Sequence, residues 1–164
     1  MQLSLPTILS SWAVLATLCA SQTVVPDHGT TTEPSDGAII PHGDSFPFSY
    51  EPVPFGTQVC FSAYDPVAIY LSTAPPTAAD VTSSQNACVL TDSSSVHDFG
   101  HYVVPLISNL PPVGPGFPPF QFQMPTLGVA NGTTLYLTVL ETITNCKAGG
   151  FFCGIETTTV VYFD

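Results

Sequence analysis

Two histidines, His97 and His101, stand four residues apart and form the pair closest to a metal-ligand spacing in this chain. On a helix this spacing brings two side chains together, so that they share a zinc or copper ion. Gly100 and the apolar residues after it favour an extended chain instead, in which four residues span about 13 Å. Because that distance is too long for one ion, we predict exposed loop histidines and neither a metal nor another cofactor.

The twelve Asp and Glu residues supply carboxylate pairs of the kind that glycoside hydrolysis requires. Most of them lie beside Gly, Pro or Ser, where a carboxylate oxygen accepts the hydrogen bonds of a turn, as at Asp36, Asp44, Asp65 and Asp92. The sequence has no Gly-x-Ser-x-Gly nucleophile elbow and no cysteine in a basic setting. We therefore predict a protein that is not an enzyme and assign no catalytic residue.

Two other features indicate surface chemistry. Asn131 begins an Asn-Gly-Thr sequence, which is both a turn signal and a glycosylation sequon, and we predict that it is glycosylated. Aromatic residues near predicted loops, Phe117, Phe120, Phe151 and Phe152, suit either core packing or sugar stacking. We choose Phe117, Phe151 and Phe152 as candidate ligand-stacking residues and expect weak, salt-insensitive binding to neutral polymers.

The charge balance restricts the partners. One Lys or Arg against twelve acids gives a formal net charge of −11, which argues against nucleic acid and anionic membranes. We expect neutral or cationic partners. With 45% hydrophobic and only 8% charged residues the chain should fold, and its 17 Pro and 12 Gly leave little room for long helices.

Residues 1–21 resemble a signal peptide, with an apolar run followed by small residues and a cut before Gln22. The mature protein is then secreted, extracellular, and left with four cysteines: Cys60, Cys88, Cys146 and Cys153. An even count in an oxidising compartment predicts two disulfides. We favour Cys146–Cys153 with Cys60–Cys88, because two glycines let the segment before Cys153 turn back. The two crossed pairings remain open.

Residues 22–35 are polar and Thr-rich and predict a flexible leader, so the folded domain is expected at 36–164. Within it, alternation of apolar and polar residues predicts strands. A turn is expected at Asp65-Pro66, one short helical turn at 78–80, and a central position for the strand at 133–144, which is apolar on both faces. The predicted strands cover 46–50, 59–63, 67–71, 101–107, 120–124, 133–144 and 155–163.

Seven or eight short strands separated by turns predict an all-β immunoglobulin- or fibronectin-like β-sandwich. A closed barrel is the alternative architecture. A single core suffices for a chain of this size.

Several stretches resemble small secreted fungal β-sandwich proteins of the basidiomycete type. They are the Pro-x-Asp-Gly turn at 34–37, the Pro-x-Gly turn at 41–43, the aromatic strand at 46–50 and the strand at 132–141. The same signature is similar to the N-terminal immunoglobulin-like domain of yeast cell-wall glucan-assembly proteins and of Ser/Thr-rich wall proteins. This resemblance implies a fold and a location at the cell wall. It brings no catalytic residues.

We therefore expect a secreted, non-enzymatic module that acts at the fungal cell wall or in the extracellular matrix. Its expected partner is a neutral wall polysaccharide or an extracellular protein. The alternatives are a polysaccharide-active enzyme with an unrecognised carboxylate pair and a secreted effector that binds a host protein. A concave, carboxylate-lined cleft would favour the enzyme, and a flat face would favour the module.

Overall fold

The computed structural model describes residues 24–25, 27–53, 62–84, 86–144 and 150–164, and its regular structure is almost entirely β. This confirms the all-β prediction. Ala78–Asp80 form the expected short helical turn, and no helix in these ranges is long and apolar enough to cross a membrane. The strands are β1 Val24–Val25, β2 Thr30–Glu33, β3 Ala38–Pro41, β4 Ser45–Pro47, β5 Ser49–Glu51, β6 Tyr64–Ser72, β7 Val81–Ser84, β8 Ala87–Leu90, β9 His97–Pro105, β10 Gln121–Gln123, β11 Thr134–Thr144 and β12 Phe151–Phe163.

A mixed six-stranded sheet is the main layer of the fold. Its strands follow the order β1-β12-β11-β6-β9, and β3 also pairs with β12. Strand β11 is antiparallel to both neighbours, whereas β1 and β3 run parallel to β12. The predicted central strand is therefore confirmed. Within the described ranges β9 pairs with β6 alone, so the sheet ends there and does not close on itself.

The main core lies on the inner face of this sheet. Two small sheets, β4–β10 and β2–β5, form the layer that faces it. Phe46, Phe48, Phe122 and Met124 from the β4–β10 region pack against the apolar side chains of β6, β11 and β12. The aromatic rings meet edge to face or tilted, as at Phe48 and Phe122, whose centroids lie 5.1 Å apart. Period-two alternation in these strands therefore produces one buried face, as the sequence indicates.

The outer face of the same sheet carries a second, smaller core beneath the β7–β8 hairpin. Val81, Cys88 and Leu90 of the hairpin pack on Ala68 and Tyr70 of β6, together with Leu140 and Cys153. Strand β11 is thus buried on both faces. That double burial explains why its sequence is apolar in both registers.

The disulfide pairing that we favoured from the sequence is wrong. Cys88 of β8 is bonded to Cys153 of β12, with 5.8 Å between their Cα atoms. The bond fixes the hairpin to the sheet across a separation of 65 residues, which local turn propensity around the glycines does not indicate. Cys60 and Cys146 lie outside the described residues.

The prediction of a flexible leader is also wrong for its described part. Val24–Val25 pair with β12, and Thr30–Glu33 pair with β5. The polar, Thr-rich composition does not reveal this order, because backbone N–H groups of the segment donate to side chains far along the chain. Glu141 and Glu156 accept hydrogen bonds from the backbone N–H groups of Gly29 and Thr31. The proposed signal peptide lies outside the described residues and stays a prediction.

The turn expected at Asp65-Pro66 is absent, because β6 runs through both residues from Tyr64. Pro66 pairs with Val103 of β9, while the pairing of β6 with β11 begins only at Val67. The missing N–H of Pro66 therefore falls where the strand has one neighbour, the position at which a sheet tolerates proline.

Candidate functional site

A concave surface lies between the β7–β8 hairpin and the outer face of β6 and β9, and we call it the hairpin groove. Its volume is about 990 Å³. Its lining combines hydroxyl and amide groups with two carboxylates, one imidazole and several apolar side chains. The residues are Pro66, Tyr70, Thr82, Ser84, Asn86, Ala87, Val89, Leu90, Thr91, Asp92, Ser95, Asp98, His101, Val103 and Pro115.

The hairpin wall of the groove is held in place covalently and by hydrogen bonds. Besides the Cys88–Cys153 bond, the backbone N–H of Cys88 donates to the hydroxyl of Thr142 across 2.9 Å. The loop after the hairpin is fixed as well, because the Ser94 hydroxyl donates to the Asp80 carboxylate across 2.7 Å. The groove is therefore formed by a rigid hairpin and a sheet, which is typical of a preformed binding site.

Tyr70 forms part of the groove floor and is only 4% exposed. Burial, followed by the Asp98 carboxylate, raises the pKa of its hydroxyl to about 12, and Asp92 adds to the rise. A hydrogen bond with the backbone of Leu90 acts in the opposite direction. Both carboxylates are thus close enough to act on one hydroxyl, so the electrostatic potential at the floor is negative.

A bulge in β9 brings Asp98 and His101 to the same face. The register with β6 shifts between Ile69 and Tyr70, so that His101 faces Ala68 and Asp98 faces Tyr70. Residues three apart normally point to opposite faces of a strand, and the extra residue of the bulge corrects this. The His101 Nε2 and Asp98 Oδ2 atoms lie 3.8 Å apart.

Gly100 makes this bulge possible. Its φ of +115° belongs to a region that side-chain-bearing residues rarely adopt. Its N–H donates to the Oδ1 atom of Asp98 across 2.7 Å, which fixes the carboxylate at the rim of the groove. The glycine between the two histidines is the sequence signal for this site.

The structure corrects the prediction of loop histidines, because His97 and His101 both belong to β9. The ring of His97 packs on Phe99, with 4.7 Å between their centroids, whereas His101 lies at the groove. In the part of the chain that the structure describes, no three His, Cys, Asp or Glu side chains are placed to share a metal ion.

A second, smaller surface pocket of about 230 Å³ is formed by aromatic and proline side chains, and we call it the aromatic pocket. Phe120 is 90% exposed at this pocket, and Phe117 beside it lies 6.4 Å from the ring of Tyr64. The lining residues are Phe48, Ser49, Tyr50, Pro52, Val104, Pro105, Phe117, Pro118 and Phe120.

The three predicted stacking residues do not form one surface. Phe117 lines the aromatic pocket, but Phe151 packs against the smaller core beneath the hairpin. Phe152 stands opposite Ile143 in the β11–β12 ladder. Phe120, which is not one of these three, is the most exposed large hydrophobic side chain among the described residues.

Two glutamates lie on the inner face of the sheet, and neither lines the hairpin groove or the aromatic pocket. Glu141 is fully buried and accepts hydrogen bonds from the N–H groups of Gly29 and Val53 and from the hydroxyl of Tyr50. Glu156 faces His28, with 3.1 Å between Oε2 and Nδ1. Because Glu141 is enclosed by these donors, it orders the segments that it binds and offers no access to a substrate.

Asn131 is exposed at the turn before β11. Its Oδ1 atom accepts a hydrogen bond from the backbone N–H of Asp164 across 3.1 Å. Glycosylation attaches to the amide nitrogen, so this hydrogen bond is compatible with the modification. The glycosylation of Asn131 stays a prediction.

No family model, no curated protein and no solved structure matches this chain.

Proposed function

We propose that this protein is a secreted, non-enzymatic β-sandwich module that acts at the fungal cell wall or in the extracellular matrix and binds a polysaccharide in the hairpin groove. The observation that carries the proposal is the lining of the groove. It combines hydroxyl, amide and carboxylate groups with the apolar side chains of Pro66, Val103 and Pro115. Sugar rings present the same combination, with polar edges and apolar C–H faces.

An immunoglobulin-like sandwich is the finer fold that we propose. Two layers of β-structure enclose a single main core, which is the arrangement expected of such a domain. The resemblance of the turns at 34–37 and 41–43 to those of fungal wall proteins adds to this proposal. It is also the basis for proposing secretion and a location at the wall.

A polysaccharide-cleaving enzyme is the second candidate. The groove is concave and carries two carboxylates, Asp92 and Asp98, which is the arrangement that would favour an enzyme over a flat-faced module. We rank it second because both aspartates are exposed. The acid catalyst of a glycosidase is usually kept protonated by apolar surroundings.

A secreted effector that binds a host protein is a further candidate, and the aromatic pocket favours it. Phe120 projects into solvent beside Phe117 and three prolines. Exposed aromatic side chains are enriched at the centres of protein interfaces.

Sedimentation with insoluble glucan and chitin, combined with a reducing-sugar assay, tests these candidates. Ser84→Trp places an indole in the hairpin groove at an exposed position, so it should abolish sedimentation without unfolding the protein. Ser45→Trp, at another exposed strand position, is the matched control and should sediment normally. Phe120→Ala removes the exposed ring of the aromatic pocket and should also leave sedimentation unchanged.

The outcomes separate the candidates. If the protein releases reducing sugar and Asp92→Asn or Asp98→Asn abolishes that release, the protein is an enzyme and the non-enzymatic proposal is wrong. Loss of sedimentation with Phe120→Ala but not with Ser84→Trp would show that the polymer binds at the aromatic pocket. If the protein binds neither polymer nor any soluble sugar oligomer, the polysaccharide proposal is wrong and a protein partner takes its place.

A further inference from the structure

We propose that the ligand of the hairpin groove is a chain of cationic amino sugars, whose ammonium groups lie against the carboxylates of Asp92 and Asp98. This inference rests on the proposed polysaccharide binding and names the chemical class of the polymer. A partly or fully deacetylated amino-sugar chain carries one positive charge on each free amine.

The charges of the groove favour a cationic ligand. Asp92 and Asp98 face the groove together with one imidazole, that of His101, and the lining contains no Lys or Arg. The one Lys or Arg of the chain, Lys147, lies outside the described residues. With a formal net charge of −11, the protein as a whole also attracts cations to this surface.

Tyr70 provides a second, independent observation. Its ring is packed in the smaller core, so the residue cannot swing away from the groove. Tyr70 lines the groove and faces Asp98 in the β6–β9 ladder. Its hydroxyl, next to two carboxylates, is placed to bind a ligand oxygen while the carboxylates hold the neighbouring ammonium group.

The floor of the groove favours a sugar chain over a basic peptide. It is the face of β6 and β9, whose backbone N–H and C=O groups are used in the strand ladder. A peptide lying there would lose backbone hydrogen bonds to water without replacing them. A sugar chain has hydroxyl groups that the lining matches with Ser84, Asn86, Thr91 and Ser95.

Calorimetric titration of the full-length mature protein with glucosamine hexamer tests the inference. The comparison ligand is the N-acetylglucosamine hexamer, which has the same length and no charge. At about 0.01 M salt we expect the cationic hexamer to bind at least about 10-fold more tightly, and at about 1 M salt, where the Debye length is about 3 Å, we expect that preference to vanish.

Asp92→Asn with Asp98→Asn should lower the affinity for the cationic hexamer about 10-fold at low salt, because two exposed charge pairs are lost. Asparagine retains the Oδ1 acceptor that Gly100 uses at position 98, so the bulge is preserved. Asp27→Asn with Asp44→Asn is the control, because it removes the same charge at exposed positions outside the groove. That control should keep most of the affinity, and melting temperatures of both variants report on folding.

Three results would overturn the inference. Equal binding of both hexamers at low salt would keep polysaccharide binding but reject the cationic class. Equal loss of affinity in both double variants would show that only the net charge matters. Binding of an oligolysine as tight as that of the cationic hexamer, with the same dependence on Asp92 and Asp98, would assign the groove to basic peptides.

Discussion

The Oε2 atom of Glu141 accepts the hydroxyl hydrogen of Tyr50 across 2.8 Å, which joins the central strand β11 to β5 of the facing layer. The same oxygen accepts the N–H of Gly29, and Oε1 accepts the N–H of Val53. Among the salt bridges of the described residues none involves Glu141. Hydrogen-bond donors therefore compensate the buried carboxylate within the described part of the chain, and they tie two other segments to the sheet.

Glu141→Gln should destabilise the fold. The amide group of glutamine has one acceptor oxygen, so its NH₂ group would face donors that the carboxylate now satisfies. We expect the free energy of unfolding to fall by about 2–3 kcal/mol, measured by urea denaturation near neutral pH. Glu51→Gln is the control, because Glu51 is exposed and its replacement should change the stability by less than about 0.5 kcal/mol. Equal stability of the two variants would contradict the anchoring role of Glu141.

Alkaline pH should unfold the protein through Tyr50 and Tyr70. Burial and the Glu141 carboxylate raise the pKa of Tyr50, and burial and Asp98 raise that of Tyr70 to about 12. A raised pKa in the folded state means that the folded protein holds the proton more tightly than the unfolded chain. This contribution is complete below the unfolded value of about 10 and is lost as the pH rises above it.

The test is a series of melting temperatures between pH 8 and pH 12, compared with Tyr50→Phe. The wild-type curve should fall steeply above about pH 10, and the variant should start lower and fall less. Tyr136→Phe is the control, since Tyr136 lies in β11 together with Glu141 but does not donate to the Glu141 carboxylate. Parallel curves for the wild type and Tyr50→Phe would show that Tyr50 does not govern the alkaline transition.

At acidic pH two turn aspartates should set the lower limit of stability. A hydrogen bond from the Thr159 hydroxyl lowers the pKa of Asp36, and one from Ser94 lowers that of Asp80. A lowered pKa gives stability that is present above the unfolded value of about 3.9 and is lost as the pH falls through the folded value. These bonds are therefore intact between pH 4 and pH 8.

Over that range the net charge should decide the trend. Protonation of other carboxylates towards pH 4 relieves the self-repulsion of a chain with a formal charge of −11. We expect a higher melting temperature at pH 4–5 than at pH 8, followed by a fall at lower pH that Asp36→Asn and Asp80→Asn make smaller. A melting temperature that rises steadily from pH 4 to pH 8 would contradict the dominance of self-repulsion.

The sequence predicts the strands that bury a continuous apolar face and misses those that depend on distant partners. Strand β11 is apolar on both faces, and its predicted central position is confirmed. The polar strand β2 is ordered by Glu156, 125 residues beyond Thr31, and no local pattern indicates that pairing. The bulge at Gly100, which aligns Asp98 with His101, changes the face of a side chain through a one-residue shift that alternation alone does not reveal.

The second disulfide should join Cys60 to Cys146, by elimination once Cys88 and Cys153 are paired. Strands β6 and β11 are antiparallel, with Val67 opposite Glu141, so the start of β6 at Tyr64 and the end of β11 at Thr144 lie at the same end of the sheet. Cys60 precedes that start in the sequence and Cys146 follows that end, so we expect the two cysteines to form the second bridge.

Peptide mapping without reduction measures this pairing directly. Chymotrypsin or pepsin is needed, because the chain has one Lys and no Arg for trypsin. We expect one linked peptide pair that contains Cys60 and Cys146, and the same pair in a Cys88→Ala/Cys153→Ala variant. In the chain-entropy description a bridge over so long a loop stabilises by about 4–5 kcal/mol, so Cys60→Ala/Cys146→Ala should melt well below the wild type. Two free thiols at Cys60 and Cys146 in the native protein would rule out the second bridge.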